Sequence, residues 1–207
     1  MAGRDDWMVV AAESDTEDVR ERILTGYKTG KPFTPYVPTM TLPADLGRVL
    51  DFGCGLGRNF PYLKRIARSV AGFDLPPMIA RCRTSASETI DLLTSDWDEI
   101  AVLDFDLIMA SLVLQHVEPA PVRGFLRDFA RMAPHVYVLT RTQTDFGENM
   151  LDIVAEIGLF EPGECVEVDH DPVTHQLKMI DRSSFDAACA SGADRHYECV
   201  LRSHRAT

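Results

Sequence analysis

The 207-residue sequence has no C-x-x-C pair, no surplus of basic residues and no apolar run of membrane-spanning length. Its five cysteines, Cys54, Cys82, Cys165, Cys189 and Cys199, are odd in number and scattered. That pattern argues against a disulfide framework and against a zinc site, so no metal is expected. The longest apolar stretch, "LIMASLVL", is far too short to cross a bilayer. The opening "MAGRDDWMVVAAES" holds an apolar run of six residues behind two acids, which does not fit a secretory signal. A reducing, cytoplasmic setting is expected. The net charge is −11, so phosphate backbones are repelled and non-specific nucleic-acid binding is disfavoured.

What is present suits a single globular domain with a small appendage. Apolar residues make up 45% of the chain and charged residues 26%, enough for a full core under a solvated surface. "SDTEDVRERILTGYK" reads as a helix, with Ser14 and Glu17 in capping-box spacing. Four prolines from Pro32 to Pro43 mark a connection. Residues 1–44 therefore read as an N-terminal helical segment with its connection, and 45–207 as the main domain. From Arg48 the pattern alternates. "RVLDF", "SVAGFD", "TIDLLTSD", "FDLIMASLVL" and "HVYVLTRT" read as strands. "RNFPYLKRIAR", "PPMIARCR", "PAPVRGFLRDFARM" and "NMLDIVAEIG" read as helices between and after them. Such alternation predicts an α/β fold, a doubly wound, mostly parallel sheet with helices on both faces. In the tail, "ECVEVDHD", "HQLKMID" and "HYECVLRSH" read as strands and "RSSFDAACAS" as a helix.

The most informative stretch is "VLDFGCGLGRN". Gly53, Gly55 and Gly57 follow directly on the first strand and precede the first helix. In a doubly wound sheet, ligands bind at the carboxyl ends of strands, so this loop has a location as well as a composition. The spacing is G-x-G-x-G with Arg58 where a dinucleotide fingerprint needs its third glycine. No G-K-S/T follows, so a P-loop is absent. Asp51 ends the first strand, Asp74 the second and Asp96 the third. A carboxylate after the second strand can accept both hydroxyls of a ribose. Asp96 can take the donor of an adenine amine or cap a helix, and Trp97 stands ready to flank the ring.

The ordered set resembles a class I S-adenosylmethionine-dependent methyltransferase. "VLDFGCGLGRN" is similar to the first motif of that family, "VAGFDLPPM" to the second, "LTSDWD" to the third and "FDLIMASLVLQHV" to the fourth. The likeness runs from Arg48 to Thr140 and is nearest to the small-molecule subgroup. It implies a Rossmann-like, seven-stranded sheet with an antiparallel last strand, and S-adenosyl-L-methionine as cofactor. It further implies roles. Gly53, Gly55 and Gly57 would pass under the methionine portion and Asp51 would act near its ammonium. Asp74 would hold the ribose, with Leu75 against the adenine. Asp96 and Trp97 would meet the adenine edge, while Ala110 and Ser111 would line the sulfonium side. The N-terminal helix would act as a lid, with Lys28 near the methionine carboxylate.

Methyl transfer needs alignment first and a base only when the acceptor carries a proton that must leave. His116 in "LVLQHV" is the catalytic candidate, and Gln115 beside it can orient an acceptor. No N-P-P-Y or D-P-P-Y follows strand four and no P-C pair occurs, so those amino- and pyrimidine-methylating chemistries are not indicated. Cys54 reads as a small spacer. Asp169, His170, Asp171 and His175 read as a solvated D-P turn. The expected activity is methyl transfer to O, N or C of a small molecule. An RNA or protein methyltransferase, and a cofactor-binding module without turnover, are the competing readings. No membrane partner is expected.

Overall fold

A computed structural model describes residues 4–13, 17–25, 38–85, 89–141, 144–170, 177–180 and 196–204. The N-terminal segment holds α1 (Arg4–Ala12) and α2 (Glu17–Thr25). The domain follows as β1 (Leu46–Phe52), α3 (Phe60–Ile66), β2 (Ala67–Phe73), α4 (Pro76–Ser85), β3 (Leu92–Thr94), α5 (Trp97–Ala101) and β4 (Leu107–Ser111). A single 3-10 turn, Leu114–His116, leads into α6 (Pro119–Met132), β5 (His135–Arg141) and α7 (Met150–Ile157). The chain ends in β6 (Phe160–His170), β7 (Leu177–Ile180) and β8 (His196–Ser203).

The strands form one sheet in the order β3-β2-β1-β4-β5-β8-β6-β7. β1 to β5 are parallel neighbours, and β8 enters antiparallel between β5 and β6. The last strand is antiparallel, as the resemblance implies. The count is eight rather than seven, because "HQLKMID" yields the short β7, paired to the end of β6. The sequence also predicts a helix at "RSSFDAACAS", which lies outside the described residues, as do Ser14, Lys28, Asp171 and His175.

Alternation along β1 and β4 sorts their side chains onto two cores. Leu50, Phe52, Ile108 and Ala110 face α6 and α7 with Val122, Leu126, Phe129 and Ile153. Val49, Leu107 and Met109 face the opposite way, with Phe60 and Leu63 of α3 and Ile79 and Cys82 of α4. Pro61 sits in the first turn of α3, where its missing N–H has no partner to lose. α7 ends on Gly158 in the left-handed region, φ 64°.

Two features depart from the sequence reading. α1 is an additional helix, with Trp7 and Ala11 meeting Leu56, Leu75 and Met78. The cysteine count argued against disulfides, yet Cys165 and Cys199 are joined. They lie opposite each other in the antiparallel β6–β8 register, a pairing that 34 residues of intervening chain conceal. The support those two thiols lent to a reducing compartment falls away. Cys54 and Cys82 are free and buried.

Far from the glycine loop in sequence, Glu198 of β8 is a buried carboxylate. It accepts Tyr137 Oη at 2.9 Å, the Thr39 N–H at 2.8 Å and the Thr39 hydroxyl. These bonds hold the strand-entry segment against the sheet.

Candidate active site

The strand order reverses between β1 and β4, and the crevice at their carboxyl ends is where such sheets take ligands. The glycine loop leaves β1 here and folds toward β2, with the N–H groups of Gly53 and Cys54 donating to Phe73 O at 2.8 and 3.1 Å. All three glycines have positive φ, at 73°, 56° and 82°. A Cβ on Gly53 would lie 2.4 Å from Val113, and one on Gly57 2.4 Å from Phe60. A Cβ on Gly55 would meet only Ile23, at an ordinary 3.7 Å. Packing alone therefore demands two of the glycines, while a Cβ on Gly55 would fit without overlap.

Asp51 is wholly buried at the end of β1. Its Oδ1 accepts the Asn59 side-chain amide at 3.0 Å. Its Oδ2 is buried and has no hydrogen-bond partner in the structure. Burial raises its pKa to about 7, against the opposing pull of Asn59 and of the Arg58 charge. Asp74, after β2, accepts the N–H groups of Gly55 and Leu75 through separate oxygens, each at 2.7 Å. Burial raises it to about 6 even against those two bonds. Arg58 spans the crevice, donating to Ser111 O at 2.9 Å. Leu112 beyond it holds a φ of 57°, a left-handed conformation uncommon for leucine.

A second group of side chains lies past β4. His116 Nδ1 is 2.7 Å from Asp145 Oδ2, and Asp145 Oδ1 is ion-paired with Arg141. Gln115 Oε1 accepts the Arg141 N–H at 2.8 Å, and Gln115 Nε2 lies 3.2 Å from His116 Nε2. Trp7 of α1 presents its ring edge-on to His116, with centroids 5.7 Å apart. The N-terminal helices therefore cover both groups. Ile23 lies over the loop, and Arg81 of α4 donates to Ala11 O at 2.6 Å and to Glu13 O at the end of α1.

Residues 50–139 match a family model described as a methyltransferase domain. The chain carries a methyltransferase domain. No curated protein matches the sequence. Solved structures share its fold at low identity. The N-methyltransferase NodS from Bradyrhizobium japonicum WM9, in complex with S-adenosyl-L-homocysteine, is 15% identical. It aligns over 99% of this chain and 94% of its own, with a TM-score of 0.53. Thermoplasma acidophilum 1320 is 17% identical over 79% of this chain and 82% of its own, with a TM-score of 0.55. The cyclase SpnF is 15% identical over 78% and 76%, with a TM-score of 0.54.

The fold places Asp51, Gly53, Gly55, Gly57, Asp74, Leu75 and Ser111 around the carboxyl ends of β1, β2 and β4. Three of the named residues have local roles in the fold. The Trp97 indole packs in an aromatic cluster with Phe52, Phe73 and Phe125 and donates to Asp128 at 3.0 Å. Asp96 Oδ1 accepts the Asp98 N–H at 2.9 Å and caps α5, the local role the sequence left open. Ala110 lies inside β4 with its side chain buried among the α6-side core, so Ser111 alone of that pair reaches the crevice edge. Cys54 is buried beside Cys82, whose thiol together with burial pushes the Cys54 thiol well up and disfavours its thiolate. Sequence reasoning missed Asp145, Arg141 and Trp7. Asp145 follows β5 as the other acids follow β1 to β3, and that repetition was the available signal.

No described helix is long and apolar enough to cross a membrane, and no metal-binding cluster occurs among the described residues.

Proposed function

We propose that this chain transfers the methyl group of S-adenosylmethionine to an acceptor on a small molecule. The observation that carries the reading is Asp51 Oδ2, a buried carboxylate oxygen without a hydrogen-bond partner beside a loop of positive-φ glycines. A buried anion left so is costly unless a cation or donor joins it, and the cofactor's ammonium supplies both. Gly55 supplies room for the methionine chain. Asp74 supplies two acceptor oxygens for ribose hydroxyls, once its bond to the loop is exchanged or shared. Leu75 gives an apolar wall for the adenine, and Asp96, which is exposed, keeps Oδ2 for the exocyclic amine. Ser111 and Arg58 close the crevice toward the transferred methyl. Residues 1–44 act as a lid over the domain formed by 45–207.

Bound S-adenosylmethionine supplies a methyl activated by the sulfonium, so the chain's own task is chiefly alignment and exclusion of water. A small-molecule acceptor fits the net charge of −11, which opposes a polyanionic substrate. Calorimetry with S-adenosylhomocysteine tests the cofactor site. Saturable binding that Asp51→Ala abolishes is expected; absence of binding at millimolar ligand would overturn the reading.

A further inference from the structure

Two contacts of the His116 ring, with Gln115 and Asp145, bear on which of its nitrogens carries the proton. The backbone N–H of Arg141 donates to Gln115 Oε1 at 2.8 Å, so that atom is the amide oxygen and Nε2 is the donor. Gln115 Nε2 lies 3.2 Å from His116 Nε2. A donor there needs a lone pair, so His116 Nε2 is unprotonated. The ring proton is then on Nδ1, and Asp145 Oδ2 accepts it at 2.7 Å. Asp145 is in turn held by the Arg141 ion pair and by its own N–H, which donates to Gln115 O at 2.9 Å. Each bond constrains the next. Binding a sulfonium cofactor requires none of this.

We propose that His116 is the general base for an acceptor hydroxyl, with Asp145 as the positioning residue that fixes its tautomer. The proposal deepens the methyl-transfer reading and rests on it. A neutral amine attacks through its own lone pair and can shed a proton afterwards. A phenol or alcohol at neutral pH is protonated, about pH 10 being needed to ionise a phenol such as tyrosine, and it gains directly from a base in the transition state. As the acceptor oxygen bonds to the methyl carbon, the carbon–sulfur bond breaks and its electron pair stays on sulfur as a thioether. The hydroxyl proton passes to His116 Nε2, displacing the Gln115 amide. The new imidazolium is stabilised by Asp145 and later returns its proton to water. Asp145 is almost fully buried, with 5% of its side chain exposed, and Trp7 covers the ring. The stabilising charge therefore acts in a partly dried site.

The test uses the full chain saturated with S-adenosylhomocysteine. Nitrogen-15 spectra of labelled histidine, assigned with His116→Ala, should show the Nδ1–H tautomer, and Asp145→Asn should shift it toward Nε2–H. A protonated Nε2 in the wild type would overturn the proposal, whether or not any acceptor is turned over. In parallel, labelled S-adenosylmethionine is offered with catechol, 4-hydroxybenzoate and benzylamine. Turnover of the hydroxyl compounds is expected. It should fall by about 100-fold or more in kcat in His116→Ala, with calorimetric affinity for S-adenosylhomocysteine unchanged. Asp145→Asn should lower kcat while KM holds and should displace the acid limb of the pH profile. Turnover of benzylamine alone, or full activity in His116→Ala, would refute the base. Loss of S-adenosylhomocysteine binding in the wild type would instead refute the cofactor reading.

Discussion

Asp74 Oδ2 accepts the Gly55 N–H at 2.7 Å, so the acid after β2 holds the loop after β1. One carboxylate thus serves both the fold and, in the proposed function, the ribose. Asp74→Ala should lower both. Loss of hydrogen bonds to a charged group predicts a stability loss of about 1–3 kcal/mol and a similar loss of cofactor affinity. Thermal melting of the apo protein read beside calorimetry separates the two. A melt shift with unchanged S-adenosylhomocysteine affinity would leave Asp74 a loop clasp only.

The buried acids predict a pH dependence of definite sign. Asp51 rises to about 7 and Asp74 to about 6 from an ordinary 3.8. Between pH 4 and those values the folded chain binds more protons than the unfolded chain. Their contribution to stability is therefore fully present below about pH 4 and is lost as pH rises through 6 to 7. A bound ammonium reverses the preference at Asp51 and favours its carboxylate. S-adenosylhomocysteine should bind more tightly as pH rises from 5.5 to 7.5, by at most about tenfold per pH unit for each proton released. Calorimetry in buffers of different ionisation enthalpy measures that proton. Asp51→Asn should remove most of the pH slope, and a slope equal to the wild type would contradict the assignment.

The three glycines should separate by what surrounds them. Gly55→Ala carries chiefly the left-handed φ penalty, about 1–2 kcal/mol. Gly53→Ala carries that penalty and an overlap with Val113 at 2.4 Å, for which overpacking adds about 1–3 kcal/mol. Apo melting temperatures should therefore order wild type, Gly55→Ala, Gly53→Ala from high to low. The reverse order for the two variants would mean that a Cβ at Gly55 does not fit beside Ile23 without overlap.

The parallel half of the fold was legible because each strand is a short apolar run and each helix has a marked start. The α6 stretch "PAPVRGFLRDFARM" is the whole helix, Pro119–Met132, since its prolines and its periodic Val122, Leu126 and Phe129 fix both register and entry. The acids were legible because each ends a strand. The packing of Trp97 was hidden because the aromatic cluster that takes its indole comes from β1, β2 and α6. Asp145 and His116 were not paired because they are 29 residues apart and meet only when β4 and β5 lie side by side. The Cys165–Cys199 bridge was hidden for the same reason.

The proposed lid depends on Arg81. A helix ends with carbonyls that lack intrahelical partners, and Arg81 supplies donors to Ala11 O, at 2.6 Å, and to Glu13 O. Arg22 pairs with Glu13 and ties α2 to the same corner. α1 otherwise rests on a small cluster of its own, with Trp7 and Ala11 against Leu56, Leu75 and Met78, apart from the two main cores. Arg81→Met keeps an apolar stem and removes the donors. The sheet and its cores should be untouched, so the melting temperature should change little. α1 should open more often, and with it the cover over Leu75 and His116. S-adenosylhomocysteine affinity should fall by about three- to tenfold, the equivalent of about 1 kcal/mol. Amide hydrogen exchange over residues 7–12 provides the direct measurement. Ligand should slow exchange there in the wild type, and Arg81→Met should lose most of that protection. Equal protection and equal affinity in the two proteins would show that α1 is fixed without Arg81 and does not gate the site.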